Sequence, residues 1–236
     1  MDLKIKEIKV NKKKIPQCEL AEAGILPTHP FRCYIIGASQ SGKTNLMLNL
    51  LTRDDFYKDY FDHIFVLSPT ACHLDVSYQK LNLPEENFFM PEVGVLNRIR
   101  EIQEAKVKKV GIENAPKICI VLDDFISFKK FTASKELLKF CVMCRHWSIS
   151  MFILSQAYHR LPKTLRLNMS CIMFFKGSNK ETEVLYEDYC CPGYGKRDFI
   201  AKINEATQVK YSFLFIDLNR TIEQARYRIC LDQQLI

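Results

Sequence analysis

Long apolar runs are absent from this 236-residue sequence, and none reaches the about 18 consecutive residues that a membrane-spanning helix requires. The first sixteen residues are rich in lysine and lack the apolar core of a secretion signal. Internal repeats and a clear second domain are also missing. We therefore expect an intracellular protein without a membrane span, built as one α/β domain over residues 31–236 behind a basic N-terminal arm at residues 1–30.

The ten cysteines do not form the pattern of a disulfide framework. Several of them, such as Cys33 and Cys119, stand inside apolar runs, as expected for buried free thiols in a reducing compartment. Cys141, Cys144 and His146 have part of a zinc-site spacing, but no second cysteine pair stands at the usual distance. We interpret these thiols as packed helix residues, with a zinc site as the less favoured alternative.

The formal net charge of +7 is concentrated at the N-terminus, where six lysines face only Asp2 and Glu7 within the first sixteen residues. A basic arm of this kind can bind nucleic acid or an acidic partner. Charge alone fits a solvated tail better. The arm by itself therefore does not indicate a partner.

The strongest motif has the Walker A form G-x-x-x-x-G-K-[ST] and consists of Gly37, Ala38, Ser39, Gln40, Ser41, Gly42, Lys43 and Thr44. An apolar run at residues 31–36 predicts a strand before it, and residues 44–51 have the spacing of a helix after it. In this context, backbone N–H groups up to Asn45 can bind phosphate. Lys43 adds charge at the β- and γ-phosphates, and the Thr44 hydroxyl can ligate Mg²⁺. The sequence thus predicts a site for ATP and Mg²⁺.

A second motif has the Walker B form, in which an apolar strand ends in acids. The run Ile118–Leu122 leads into Asp123 and Asp124. A buried parallel strand would deliver both carboxylates at its C-terminal end. We expect Asp123 to hold the Mg²⁺ and Asp124 to orient or deprotonate the attacking water. A helix cap is the alternative role for Asp124.

Apolar periodicity predicts the remaining elements. Strands are predicted at residues 61–69, 149–156 and 171–176, and helices at 93–107, 133–144, 161–169 and 179–191. Two late apolar runs, at 211–218 and 227–231, predict a C-terminal hairpin. Residues 70–91 are polar and interrupted by prolines, which predicts a loop with one short helix.

The stretch from Arg145 to Gln156, an arginine followed by an apolar strand and a terminal glutamine, resembles the FtsK/HerA-type DNA-pumping ATPases. Together with both Walker motifs and the chain length, it is most similar to the poxvirus-type genome-packaging ATPases of large DNA viruses and to their relatives in virophages. The resemblance covers roughly residues 31 to 218. One departure is Asp124, where cellular relatives usually carry glutamate.

The resemblance implies a three-layer α/β P-loop fold of the additional-strand class. Its mainly parallel sheet would have the order 5-1-4-3-2, extended here by the C-terminal hairpin. The strand that ends at Gln156 would lie between the two Walker strands. Gln156 would then sense the γ-phosphate or the attacking water. Arg145 would act as a finger that reaches the site of a neighbouring subunit.

The function that follows is ATP-driven translocation of double-stranded DNA into a viral capsid. The expected partners are duplex DNA, a homo-oligomeric ring of five or six subunits, and a capsid or portal-vertex protein. The expected place is the host-cell cytoplasm or a viral factory, or association with the virion. The basic residues after the Gln156 strand are DNA-contact candidates, although an ordinary solvated helix start fits them equally well: His159, Arg160, Lys163 and Arg166.

Two other functions fit a nucleotide site. One is a P-loop phosphotransferase that acts on a small substrate, although no arginine-rich lid or acceptor pocket is evident in the sequence. The other is a nucleotide-gated assembly protein that binds but hardly hydrolyses nucleotide. Stimulation of turnover by DNA distinguishes the motor from the first alternative, and release of phosphate excludes the second.

Overall fold

The computed structural model describes residues 15–71, 75–190, 195–221 and 225–231, and the backbone of residues 233–234. The strands are β1 Arg32–Ile36, β2 His63–Leu67, β3 Phe88–Phe89, β4 Ile118–Leu122, β5 Ile149–Ser155, β6 Cys171–Phe174, β7 Leu214–Asp217, β8 Tyr227–Ile229 and β9 Gln233–Gln234. The helices are α1 Glu19–Glu22, α2 Lys43–Thr52, α3 Val93–Val110, α4 Lys129–Thr132, α5 Lys135–Met143, α6 Lys163–Arg166, α7 Asn179–Tyr189 and α8 Lys196–Ala206.

A single sheet joins the nine strands in the order β3-β2-β4-β5-β1-β6-β7-β8-β9. The first six strands in this order, from β3 across the sheet to β6, pair in parallel. Strands β7, β8 and β9 add antiparallel pairs at one edge. Without the two-residue β3, the central order β6-β1-β5-β4-β2 is the predicted 5-1-4-3-2. The complete order differs from the prediction because β3 and β9 extend the two edges. The C-terminal hairpin is confirmed, since β7 pairs with β8.

The sheet is covered on both faces, which confirms the three-layer α/β class. Alternate residues of each strand enter different cores, as Tyr34 and Ile35 of β1 do. Helices α3, α5, α7 and α8 cover one face, and α1 and α2 cover the other. The central strands are therefore buried on both sides, which is why β4 consists only of apolar residues and β5 is mostly apolar.

Several predicted boundaries shift. The helix predicted at 161–169 shortens to the four residues of α6, whose first turn starts after Pro162. The described part of the segment at 70–91, which the sequence predicts to be a loop with one short helix, contains 3-10 helices at Val76–Leu81 and Glu85–Asn87 as well as β3. Residues 72–74 of that segment lie outside the described residues. Across the part of the chain that is described, no helix combines the length and apolar character needed to cross a bilayer.

The segment before β1 packs against the α2 face of the sheet. Ala21 and Leu26 are buried there. The hydroxyl of Tyr60 donates to the carbonyl of Pro16 at 2.9 Å, and Arg220 donates to the carbonyl of Gly24 at 2.9 Å. Residues 1–14, which hold all six lysines of the predicted arm, lie outside the described residues. The division of the chain at residue 30 stays a prediction.

Candidate nucleotide-binding site

The loop 37–42 connects the C-terminal end of β1 to the first turn of α2. A Cβ at Gly37 would lie 2.5 Å from Ser41 Oγ and 2.6 Å from Phe175 Cβ, so a side chain does not fit there. Gly42 has φ 103°, in the left-handed region that favours glycine. Both fixed glycines of the motif are thus required by the turn that presents the N-terminus of α2.

Lys43 places its ammonium over this loop. Its Nζ donates to the carbonyls of Gly37 and Ala38, each at 2.8 Å. Desolvation by burial lowers the pKa of Lys43, whereas the charges of Asp123 and Asp124 raise it. The outer residues of the loop, Ala38, Ser39 and Gln40, are exposed, as is Asn45 in the first turn of α2. A cation fixed beside an open loop of this kind suits a polyphosphate.

Asp123 follows β4 directly and is buried next to α2. Its Oδ2 accepts hydrogen bonds from the Thr44 hydroxyl at 3.3 Å and from the Tyr78 hydroxyl at 2.6 Å. Burial raises the pKa of Asp123, and the hydrogen bond from Tyr78 opposes that shift. Tyr78 lies in the 3-10 helix Val76–Leu81, and the sequence carries no motif that marks it as part of the site.

Thr44 and Asp123 form the set of oxygen atoms to which Mg²⁺ would bind. One hydroxyl and one carboxylate fit Mg²⁺, which usually keeps several waters and adds oxygens from substrate phosphates. Ser41 supplies a further buried hydroxyl for which no hydrogen-bond partner is found among the described residues. These side chains therefore fit a nucleotide-bound Mg²⁺.

The structure does not support the zinc site considered for Cys141 and Cys144. Within the described ranges, no group of three or more histidine, cysteine or acidic side chains could hold a metal ion. Cys141 and Cys144 are buried free thiols, and Cys144 Sγ contacts the carbonyl of Cys141 at 3.4 Å. The packed-thiol interpretation is the one that the structure supports.

Asp124 and Gln156 meet beside the loop at the ends of adjacent strands. Gln156 Nε2 donates to Asp124 Oδ1 at 3.3 Å. Asp124 has a left-handed backbone, with φ 50° and ψ 24°. Such strain in a residue other than glycine is concentrated at functional sites. β5 lies between β1 and β4, so both side chains stand next to the phosphate loop.

Arg145 lies at the opposite end of the parallel strands, just before the N-terminal end of β5. It is exposed in the 3-10 turn Cys144–Trp147, which precedes β5. The seven residues of β5 separate it from Gln156, a distance of roughly 20 Å at about 3.3 Å per residue. Within one subunit, Arg145 is therefore not brought together with Lys43, Asp123, Asp124 and Gln156.

The basic cluster after β5 divides into two kinds of residue. Arg160 and Lys163 are exposed, although Lys163 Nζ is 3.8 Å from a carboxylate oxygen of Asp188. Arg166 is buried, and its Nε forms a 2.8 Å ion pair with Asp188, whose side chain is only 1% exposed. The structure thus takes Arg166 out of the set of candidate DNA contacts, because its guanidinium stabilises the fold instead.

Solved structures with the same fold include two viral proteins. The DNA-packaging ATPase B204 from Sulfolobus Turreted Icosahedral Virus is 14% identical, with a TM-score of 0.58 over 85% of this chain and 97% of that one. The genome-packaging NTPase B204 from Sulfolobus turreted icosahedral virus 2, in complex with AMPPCP, is also 14% identical, with a TM-score of 0.58 over 87% and 99%.

A bacterial protein shares the fold as well. EssC (ATPases 2 and 3) from Geobacillus thermodenitrificans is 14% identical, with a TM-score of 0.53 over 87% of this chain and 38% of that one. No curated protein matches the chain. The Poxvirus A32 protein family matches residues 22–234, which include the phosphate loop, both aspartates and Gln156. By fold and by motif the chain is a P-loop ATPase, and it belongs to the Poxvirus A32 protein family.

Proposed function

We propose that this protein hydrolyses ATP to translocate double-stranded DNA into a viral capsid. Membership of the Poxvirus A32 protein family supports this proposal, as does a fold shared with proteins described as packaging ATPases. The cytoplasm or a viral factory of the host cell is the place where such a motor would meet the genome. A capsid or portal-vertex protein would be its docking partner.

One observation carries the hydrolytic part of the proposal. Three adjacent strands, β1, β5 and β4, deliver the phosphate loop, Gln156 and the two aspartates to the same edge of the sheet. The contacts Thr44–Asp123 and Gln156–Asp124, each at 3.3 Å, join these groups into one site. This arrangement combines phosphate binding, a metal-binding carboxylate and a second carboxylate for water.

The roles of the side chains follow from their environments. Lys43 neutralises charge on the β- and γ-phosphates, while Thr44 and Asp123 would hold Mg²⁺, which would supply further positive charge against the phosphates. Asp124 is half-buried, so its carboxylate can reach a water between Gln156 and the γ-phosphate. Gln156, bound to Asp124, orients that water through its amide and senses whether the γ-phosphate is present.

The position of Arg145 supports a ring. A guanidinium that stabilises charge on the transferring phosphoryl group raises the rate by about 10³ or more. Arg145 lies too far from the phosphate loop of its own subunit. It is exposed before the N-terminal end of β5, where it can reach a neighbouring subunit. We therefore infer a homo-oligomeric ring of five or six subunits, in which Arg145 completes the adjacent site.

The exposed residues Arg160 and Lys163 are the candidates for contacts with the DNA backbone. They follow β5 and Gln156 in the chain, so they lie near the edge of the sheet that carries the nucleotide site. A change at Gln156 on hydrolysis can thus be transmitted to them through a short segment. Contacts to phosphate would be independent of base sequence, as a translocating motor requires.

The test is the ATPase rate of the wild-type protein with and without long duplex DNA, measured together with the oligomer mass. We expect duplex DNA to stimulate phosphate release by a ring. Lys43→Ala is the matched control, because it removes the phosphate-binding charge from the same chain. Hydrolysis that is indifferent to DNA contradicts the motor and favours a phosphotransferase, and nucleotide binding without phosphate release favours a gated assembly protein.

A further inference from the structure

A cavity of about 470 Å³ opens beside Gly42, the last residue of the phosphate loop. Its walls include Gly42 and Asn45 at the start of α2, and Phe175 and Tyr211 from the segments around β6 and β7. A Cβ built on Gly42 would lie 3.1 Å from Tyr211 Cδ1 and 3.7 Å from Phe175 Cε1. Two aromatic rings therefore lie directly against the last residue of the loop.

The order of the strands fixes which end of a nucleotide reaches this cavity. β1, which leads into the loop, has β5 and Gln156 on one side and β6 and Phe175 on the other. If the γ-phosphate lies beside Asp124 and Gln156, the chain of phosphates crosses the loop toward β6. The ribose and base then leave the loop on the side of the cavity.

Tyr211 has the features of a stacking platform. Tyr211 is 58% exposed, whereas Phe175 and Phe213, which line the same cavity, are buried with ring centres 5.4 Å apart. Its backbone has φ 70°, a left-handed conformation that is uncommon for a bulky residue. The Lys210 ammonium lies 4.8 Å from the ring centre and covers one face. An exposed, strained aromatic ring beside a phosphate loop is unexplained by the packing of the core.

We propose that the base of the bound nucleotide stacks on Tyr211, with the base and ribose in the cavity between α2 and Phe175. This inference rests on the proposed binding of the phosphates at the loop. A purine overlaps the tyrosine ring more than a pyrimidine does, so ATP and GTP bind more tightly than CTP and UTP. The affinity for the base comes from the ring, and the phosphates are held independently by the loop and Lys43.

Calorimetric titration of the full chain with ATP and with inorganic tripolyphosphate, both with Mg²⁺, separates the two halves of the site. Tyr211→Ala should weaken ATP binding by about tenfold or more, the size of base–aromatic stacking, and leave tripolyphosphate binding unchanged. Tyr211→Phe should keep the affinity for ATP. Val209→Ala is the matched control, since Val209 is also exposed on the same loop but does not line the cavity.

A spectroscopic variant gives a second readout. In Tyr211→Trp, the emission of the new indole should be quenched by ATP and not by tripolyphosphate, while the native Trp147 lies buried before β5. Unchanged ATP affinity in Tyr211→Ala overturns the inference. Equal loss of ATP and tripolyphosphate binding also overturns it, because Tyr211 would then only shape the loop. Failure of the wild-type protein to bind either ligand would instead contradict the proposed function on which the inference rests.

Discussion

Two neighbouring aspartates have different environments, and this difference supports the separate roles that we propose for them. Asp123 is buried and accepts hydrogen bonds from Thr44 and Tyr78. Asp124 is half-buried, has a left-handed backbone and contacts Gln156. The first carboxylate is held rigidly beside the hydroxyl that would share the Mg²⁺. The second faces the space in which a water would attack.

The first prediction concerns these two carboxylates. Asp124→Asn should bind ATP with Mg²⁺ as the wild type does, because Thr44 and Asp123 remain. Hydrolysis should be slower by about 10²-fold or more, as is typical when a general base is removed. Asp123→Asn should instead weaken the effect of Mg²⁺ on nucleotide binding. Binding titrations and phosphate release measure the two effects, and a milder loss of hydrolysis in Asp123→Asn would reverse the assignment.

The second prediction concerns Tyr78, whose hydroxyl is 2.6 Å from Asp123 Oδ2. Tyr78→Phe removes the donor that orients this carboxylate and that opposes the rise of its pKa on burial. The Mg²⁺ concentration needed for half-maximal nucleotide binding should therefore rise several-fold, and rise further at lower pH. Tyr57→Phe is the control, because it removes another buried hydroxyl on the same face, one that donates to the carbonyl of Pro27. An equal Mg²⁺ requirement in both variants would show that Tyr78 has only a packing role.

At the level of single residues, the sequence predicts those residues of the site that are adjacent in the chain. The Walker A residues are recognisable because they form one continuous loop. The two acids are recognisable because they directly follow one strand. Tyr78 is not recognisable, since it meets Asp123 from a segment 45 residues earlier. The burial of Arg166 is not predictable from its neighbours in the sequence, because its partner Asp188 lies 22 residues later.

At the scale of elements, burial on both faces makes the central strands easy to predict. β4 and β6 are continuous apolar runs, and β1 and β5 are mostly apolar, because helices cover both sides of the sheet. Apolar runs do not indicate the order of the strands in the sheet. That order follows from the resemblance to the packaging ATPases. The two-residue β3 and the 3-10 helix Val76–Leu81 have too few residues for a periodic pattern, so the sequence predicts only a loop with one short helix at 70–91.

The connection of the N-terminal segment to β5 leads to a third prediction. His29 is buried, with Nδ1 2.6 Å from Ser150 Oγ and Nε2 3.0 Å from Ser148 Oγ. Desolvation by burial, assisted by the charge of Lys117, lowers the pKa of His29 from 6.5 to about 3. The folded protein thus keeps His29 neutral over a pH range in which the unfolded chain takes up a proton. Stability conferred by the neutral ring is complete above pH 6.5 and is lost as the pH falls toward 3.

Denaturant unfolding of the wild type and of His29→Gln between pH 7.5 and 4.5 measures this effect. The difference between their unfolding free energies should change in favour of the variant by about 1.4 kcal/mol per pH unit once the pH is well below 6.5. A constant offset at neutral pH is expected as well, because glutamine cannot replace both serine contacts. Curves that stay parallel down to pH 4.5 would contradict the buried neutral histidine.

For the whole molecule, the decisive feature is the separation of Arg145 from its own phosphate loop. It leads to a fourth prediction about subunits mixed in one ring. Arg145→Ala should bind ATP but not turn it over, and Lys43→Ala should also be inactive. Mixing the two should restore part of the ATPase activity, because the Lys43→Ala subunit presents its intact Arg145 to the working loop of its neighbour.

The mixing experiment needs a demonstration that subunits exchange. Differently tagged subunits should be recovered in common rings before activity is compared. With exchange established, absence of recovery at every ratio would mean that Arg145 acts within its own subunit or has a structural role only. Activity in Arg145→Ala alone would exclude the finger role directly.

The central claim is that ATP hydrolysis moves the protein along duplex DNA, and displacement of a third strand tests it most directly. A duplex carries a triplex-forming oligonucleotide downstream of a long loading region, and release of the oligonucleotide is followed over time. We predict release by the wild type with ATP, none with a non-hydrolysable analogue, and none by Lys43→Ala or Asp124→Asn. A wild-type protein that hydrolyses ATP rapidly on this DNA and leaves the third strand in place would contradict the account.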